Sequence, residues 1–409
     1  MELLQVDTVD EAVGKILEVS RGLLPRTGLR PLSEALDAVL AEDAAAPEDV
    51  PGFDRSTVDG YAVLADDTAG AGESLPCFLK LKGAVEMGKP APCAIGHGEC
   101  VYVPTGGMLP QGADAVVMVE YCDRFADSVA VADAVSAGRN VIWRGEDIKA
   151  GQTVLQAGTR LRPSEIGALA AIGKDQVNVY QGPRIAVFST GDEVVPAGRQ
   201  QLEIGQIRDI NSNAVAALAR RAGFQVTGTG IIPDVEEELR RSLKQAMTDN
   251  DVVAVSGGSS QGIKDMTERI IDSISSPGIL THGLAVKPGK PTILGWDMES
   301  ATLFIGLPGH PVSAMTVFDR VLLGWWRAAT GQQERTPVAA RLDRNMMGSP
   351  GRETYQPVRL HLQEDGWLVE PVFYRSGLIS ALASADGFFV LERNREGLAA
   401  GERVLVHLY

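Results

Sequence analysis

Two apolar runs, each passing into a glycine-rich turn, set the pattern of the chain. Val252-Val253-Ala254-Val255 leads into Ser256-Gly257-Gly258-Ser259, and Leu303-Phe304-Ile305 leads into Gly306-Leu307-Pro308-Gly309-His310-Pro311. Short apolar runs bounded by such turns read as buried strands, and the 3.6-residue periodicity that follows reads as helix. Around them, strands are expected over 184–189, 224–232, 251–255, 284–286 and 303–305. Helices are expected over 211–222 (capped by Asn211 or Ser212), 235–247, 265–273 and 311–328. This alternation predicts a doubly wound α/β domain over 181–331 with a parallel sheet covered on both faces.

The flanks have other textures. The capping box Thr8-Val9-Asp10-Glu11 predicts a helix over 10–21, and apolar spacing predicts a second over 32–41. From 51 to 141, β-like runs such as Tyr61-Ala62-Val63-Leu64 alternate with glycine and proline turns and no helical pattern, which predicts a β insert. Helical periodicity returns over 164–172, so residues 1–50 and 142–180 read as one helical domain split by the insert. Beyond 332 the pattern is β again, with strands expected over 337–341, 354–362, 367–372 and 403–408. The expectation is therefore a multidomain α/β plus β chain: a central α/β domain, a split helical domain, a β insert and a small C-terminal β domain over 332–409.

A net charge of −15 argues against a nucleic-acid partner, which needs a basic face. No basic leader opens the chain, and the longest uncharged run, 300–318, is broken by Pro308 and Pro311, so no membrane span is expected. A cytoplasmic location follows, with Cys77, Cys93, Cys100 and Cys122 as reduced thiols ahead of a zinc site.

Bare backbone N–H groups at Gly257, Gly258, Ser259, Gly306 and Gly309, with Pro311 in a first helical turn, suit an anionic ligand at a crevice along the carboxyl edge of the sheet. Five acids stand in turns: Asp59, Asp147, Glu193, Asp234 and Asp265. The last three follow strands and are expected to cluster with Mg²⁺, held by Asp234 and Asp265 together with substrate phosphate. Each acid also suits a helix cap or turn. Lys287 and Lys290, on the stiff turn Lys287-Pro288-Gly289-Lys290-Pro291, read as an oxyanion clamp or as a surface turn. Trp325-Trp326 reads as interface or core rather than a ligand platform, and His310 as a donor without an acid–base partner.

The stretch Pro51-Gly52-Phe53-Asp54-Arg55-Ser56-Thr57-Val58-Asp59-Gly60-Tyr61-Ala62-Val63 resembles the signature of the molybdopterin molybdenumtransferases, the MoeA proteins and the gephyrin E domain. Pro104-Thr105-Gly106-Gly107, Gly145-Glu146-Asp147-Ile148, Ser189-Thr190-Gly191-Asp192-Glu193, the lysine turn and Gly306-Leu307-Pro308-Gly309 match in the family's order. The resemblance runs nearly end to end. It implies a homodimer whose central domain is molybdopterin-adenylyltransferase-like and whose cleft is completed by the partner's β insert. It implies Mg²⁺-dependent insertion of molybdate into adenylylated molybdopterin with release of AMP. Candidate partners are a molybdopterin adenylyltransferase and molybdoenzyme chaperones.

By the same resemblance, Asp59, Asp147, Glu193, Asp234 and Asp265 are functional acids. Thr105, Pro308, Pro311, Lys287, Lys290 and Ser376 belong to the cleft. This chain departs from the family at His310 (usually Asn), at Ser259-Ser260-Gln261 (usually valine-rich), at Glu268 (often Lys) and at Pro357 (usually Arg). A basic residue is also frequent near Ile142. Arg352, Arg359 and Arg375 compensate for the lost cations only if they point inward. The alternatives are a tungstate-specialised paralogue, a non-catalytic cofactor carrier or scaffold, and a molybdopterin adenylyltransferase.

Overall fold

The computed structural model describes residues 6–257, 261–332, 336–373 and 375–409, with the side chains of 261–264 left undescribed. Gly258, Ser259, Ser260 and the Gln261 side chain, all named above, fall outside the described residues.

The central sheet has six strands: β1 (Arg184–Thr190), β2 (Gln225–Ile232), β3 (Val252–Ser256), β4 (Pro277–His282), β5 (Ile293–Asp297) and β6 (Thr302–Leu307). Their order is β2-β1-β3-β6-β5-β4. The first four are parallel, whereas β5 pairs antiparallel with both β6 and β4. The expectation of a fully parallel sheet is thus corrected. A parallel return needs a crossover of about a dozen residues or more; the link after β5 is a short turn, and the link after β4 carries the lysine loop out to the barrel.

Alternation along the parallel strands splits the core in two. Val187, Val252, Ala254, Leu303 and Ile305 face one side, with α1 (Val9–Ser20), α3 (Asn211–Arg221), α6 (Pro311–Val317) and α7 (Gly324–Thr330). Ala186, Val253, Val255 and Phe304 face the other, with α4 (Glu236–Asp249) and α5 (Gln261–Ile274). A π-helical segment, Phe318–Leu323, joins α6 to α7, and Trp325 and Trp326 are buried as expected.

Helix α1 thus packs on the α/β core. The split unit contains α2 (Pro163–Ala171) and two-stranded ladders, Arg26–Pro31 with Gln176–Gln181 and Ala44–Ala45 with Thr153–Leu155. The helix expected over 32–41 is absent. Only one 3₁₀ turn forms, at Leu32–Glu34, and Asp37 turns left-handed at φ 63°. Beyond it, Leu40 N–H donates to Thr159 O at 2.9 Å and Val39 O accepts from Tyr180 N–H at 2.9 Å. Long-range backbone pairing overrides the local helical spacing there.

The insert forms a six-stranded sheet from 60 to 131 with a core on each face. Its cysteines are free thiols, and burial pushes Cys100 and Cys122 up to about 12. In the C-terminal section, Val338–Leu342, Glu353–Gln363, Gly366–Pro371, Gly387–Leu391 and Arg403–Leu408 close on one another as a small barrel. The strand expected over 284–286 does not join the central sheet. Val286–Lys287 pairs in parallel with the barrel instead, Val286 opposite Glu353 and Lys287 opposite Thr354.

Ile16 is fully buried between α1 and the sheet. Ile16→Ala should therefore destabilise the α/β section by about 2–5 kcal/mol, read as a lower urea midpoint by circular dichroism. An unchanged midpoint would mean that α1 contributes no core.

Candidate active site

The crevice opens where the carboxyl end of the central sheet meets the C-terminal barrel. It is a cavity of about 1020 Å³ that includes Asp265, Lys287, Lys290, Pro308, Gly309, His310, Arg352 and Ser376 in its lining. The lysine loop rises from the Val286–Lys287 ladder, and Lys287 Nζ donates to Ser349 Oγ of the barrel at 3.0 Å. Gly289 lies at φ 122°, and a Cβ there would stand 2.5 Å from Val317 Cγ2, so only glycine lets the loop pack on α6. Lys287, Lys290 and Arg352 stand against one carboxylate, Asp265, among the described lining residues, a local positive balance inside a chain of charge −15.

A buried polar network fixes the facing turn. Asn211 Nδ2 donates to Ser256 Oγ at 2.7 Å and to Gly309 O at 2.8 Å, and Ser256 Oγ donates to Pro308 O at 3.2 Å. Behind it, Ser189 Oγ donates to Asp209 Oδ1 at 2.6 Å, and Ser212 donates through both its backbone N–H and its hydroxyl to Asp209. Asp209 therefore caps α3. Asn211, expected as a cap, is spent on the turn across the crevice. On the barrel side, Ser376 Oγ and His310 Nδ1 are hydrogen-bonded at 2.7 Å. Gly257 has φ 157°, and a Cβ there would collide with Thr190.

The structure separates the expected acids into groups. Asp265 lines the crevice from α5. Asp234 N–H donates to Asp192 Oδ1 at 3.1 Å, and its Oδ1 is buried without a partner. Burial first, then the charges of Asp192 and Glu193, raises the Asp234 carboxyl above its ordinary value. Of the three acids expected to cluster, Asp265, after β3, lines the crevice, and Glu193 and Asp234 follow the adjoining strands β1 and β2. In the insert, Asp59 Oδ1 accepts from Thr105 N–H at 2.7 Å and Thr105 Oγ1 at 2.9 Å, which holds its carboxyl below the usual range. Asp147 is exposed, beside the Asp49–Arg144 ion pair of the split unit. Neither Asp59, Thr105 nor Asp147 lines the crevice of its own chain.

Gly306 and Pro311 are buried beneath the turn, Gly306 at the end of β6 and Pro311 as the first residue of α6. Of the three candidate arginines, Arg352 lines the cavity, while Arg359 Nε donates to Ser384 O elsewhere on the barrel. Arg375 is exposed and absent from the lining. Glu268 pairs with His282 at 2.6 Å on the rim. Sequence reasoning missed Met346, Met347, Gln356 and Phe373, which the barrel brings into the lining. It also missed Asp209, whose position three residues before Ser212 is a readable capping signal.

Among the described residues no three His, Cys, Asp or Glu side chains are arranged to hold a metal ion. The orphaned Asp234 oxygen, crowded by Asp192 and Glu193, nonetheless fits a divalent cation completed by ligand oxygens, as Mg²⁺ sites commonly are.

Fold and crevice together define a multidomain protein with a lysine- and arginine-lined cavity between an α/β domain and a β barrel. Comparison with known families carries this further. Residues 7–173 match the MoeA N-terminal region (domain I and II), 186–327 match a "Probable molybdopterin binding domain", and 339–409 match the MoeA C-terminal region (domain IV). The chain is 34% identical to a molybdopterin molybdenumtransferase of Haemophilus influenzae, with 98% of each chain covered. It is 32% identical to molybdopterin molybdenumtransferase 2 of Mycobacterium tuberculosis, again with 98% of each covered. A crystal structure of the molybdopterin biosynthesis MoeA protein from Pyrococcus horikoshii OT3 superposes with a TM-score of 0.83 at 29% identity, covering 99% of this chain and 100% of that one. The chain belongs to the molybdopterin molybdenumtransferase (MoeA) family.

The raised carboxyl of Asp234 gives a signed expectation. A group with a raised folded pKa contributes stability that is fully present below its unfolded value and lost as pH rises through the folded one. Asp234→Asn should therefore raise the unfolding midpoint at pH 7 and leave it unchanged at pH 3. Mg²⁺ should stabilise the wild type and not the variant. A lower midpoint for the variant at pH 7 in metal-free buffer would contradict the electrostatic reading.

Proposed function

We propose that the crevice is the active site of a molybdenum cofactor biosynthesis transferase, which inserts molybdenum from molybdate into adenylylated molybdopterin and releases AMP. The observation that carries the reading is the convergence of Lys287, Lys290 and Arg352 with the Pro308-Gly309 turn in one cavity. Both lysines and the arginine donate to oxyanions, and Arg352 offers planar, paired donors that suit phosphate or molybdate. Ser376 and His310 brace the barrel loop against the turn, and in this reading the protein contributes positioning and charge more than a covalent nucleophile.

Mg²⁺ belongs to this reading, with Asp234 and Asp265 as proposed ligands and Asp192 and Glu193 adding negative charge near Asp234. When bound, such an ion offsets the repulsion between carboxylates and phosphate and polarises the phosphoanhydride. Asp59, Thr105 and Asp147 enter through a homodimer in which the insert of one copy, with the adjoining Asp147 turn of its split unit, faces the crevice of the other. Among the described residues no helix is long and apolar enough to cross a membrane, which accords with a cytoplasmic enzyme.

The test is incubation of purified protein with adenylylated molybdopterin, Mg²⁺ and either molybdate or tungstate, following AMP release. Molybdate-dependent release is expected. Preference for tungstate would identify the specialised paralogue, and pterin binding without release a carrier. Lys290→Ala should raise the molybdate concentration needed for half-maximal rate about ten- to hundredfold, from the ~1.5–3 kcal/mol of a charged hydrogen bond. An unchanged requirement would remove Lys290 from the site.

A further inference from the structure

A second cavity, of about 420 Å³, lies at the junction of the split unit, the central domain and the barrel. Its lining includes four arginines, Arg160, Arg221, Arg320 and Arg327, against two carboxylates, Asp37 and Asp319. The lining side chains thus carry a net positive charge within a strongly acidic chain. Arg160 pairs with Asp37 at 3.0 Å, and Arg327 with Asp319 at 3.6 Å. Arg320 lies over the rings of Tyr355 and Phe388, 5.6 and 5.7 Å from their centroids. Arg221, at the last turn of α3, is exposed, and among the described residues its guanidinium has no ion-pair or hydrogen-bond partner. The remaining wall is aromatic: Trp326, Phe388, His407 and Tyr409.

A guanidinium left to accept a ligand, beside ring faces and in a volume suited to a small molecule, selects for an anion carried on a planar heterocycle. We propose that this junction binds a nucleoside monophosphate or a similarly phosphorylated heterocycle, at a site separate from the catalytic crevice. Arg221 and Arg160 would hold the phosphate, and the aromatic wall would hold the ring. Tyr355 lines the crevice, and Arg320, which lies over its ring, lines the junction, so this contact touches both sites.

The test is calorimetric titration of the full chain with AMP, repeated with inorganic phosphate. The wild type should show an AMP site that weakens at least tenfold in both Arg221→Ala and Arg221→Glu and persists in the Lys287→Ala/Lys290→Ala variant. The proposed function places AMP in the crevice as product; any AMP site there should respond to the lysines alone, so either reading can fail without the other. AMP binding that is lost in the lysine variant and untouched by both Arg221 substitutions would overturn the junction site. Inorganic phosphate binding as tightly as AMP would overturn the assignment of a heterocyclic ligand.

Discussion

The crevice depends on a two-residue parallel ladder. Val286 and Lys287 leave the central domain and pair with Glu353 and Thr354 of the barrel, and Glu353 N–H also donates to Ala285 O at 2.9 Å. Backbone hydrogen bonds are directional, so this clasp fixes how the barrel meets the sheet and aims the lysine loop at the Pro308-Gly309 turn. Without it, Lys287 and Lys290 would sit on a free loop and Arg352 would belong to a separate body. The Ser376–His310 contact fastens the opposite rim. Two domains thereby supply cations to one cavity, and neither forms the site alone.

The polar network behind the turn explains why small hydroxyl and amide residues stand at the strand ends. Ser189, Asp209, Asn211, Ser212 and Ser256 are all buried. A buried polar group is tolerated when its partners are close, and here they link β1, β3, α3 and the turn into one rigid floor. Its cost is visible at Thr190 Oγ1 and Asn211 Oδ1, which are buried without partners.

Much of this was readable from residue order. The parallel strands, their helices, the insert and the barrel follow from hydrophobic period and turn residues, because each element buries a face set by local spacing. The misreadings share a cause. The segment 32–41 has helical spacing but is paired through its backbone to residues 159–161 and 178–180, and the sequence carries no local sign of those partners. The strands β4 and β5 and the strand Gly387–Leu391 are short and lack strict alternation, so they passed unread. Lys287, Lys290, Pro308 and Ser376, named as candidates through the resemblance to the family, all line the cavity. Their meeting with Arg352 was not legible, since it depends on how two domains dock. Strand order sets Asp234, after β2, and Asp265, after β3, on either side of β1 along the same sheet edge.

The central claim is that the clasped crevice holds the molybdenum oxyanion. Crystals soaked in molybdate and measured at the molybdenum absorption edge test it most directly. The account predicts an anomalous peak between Lys287, Lys290 and Arg352. A molybdenum peak found only elsewhere, with that space filled by water, would contradict it.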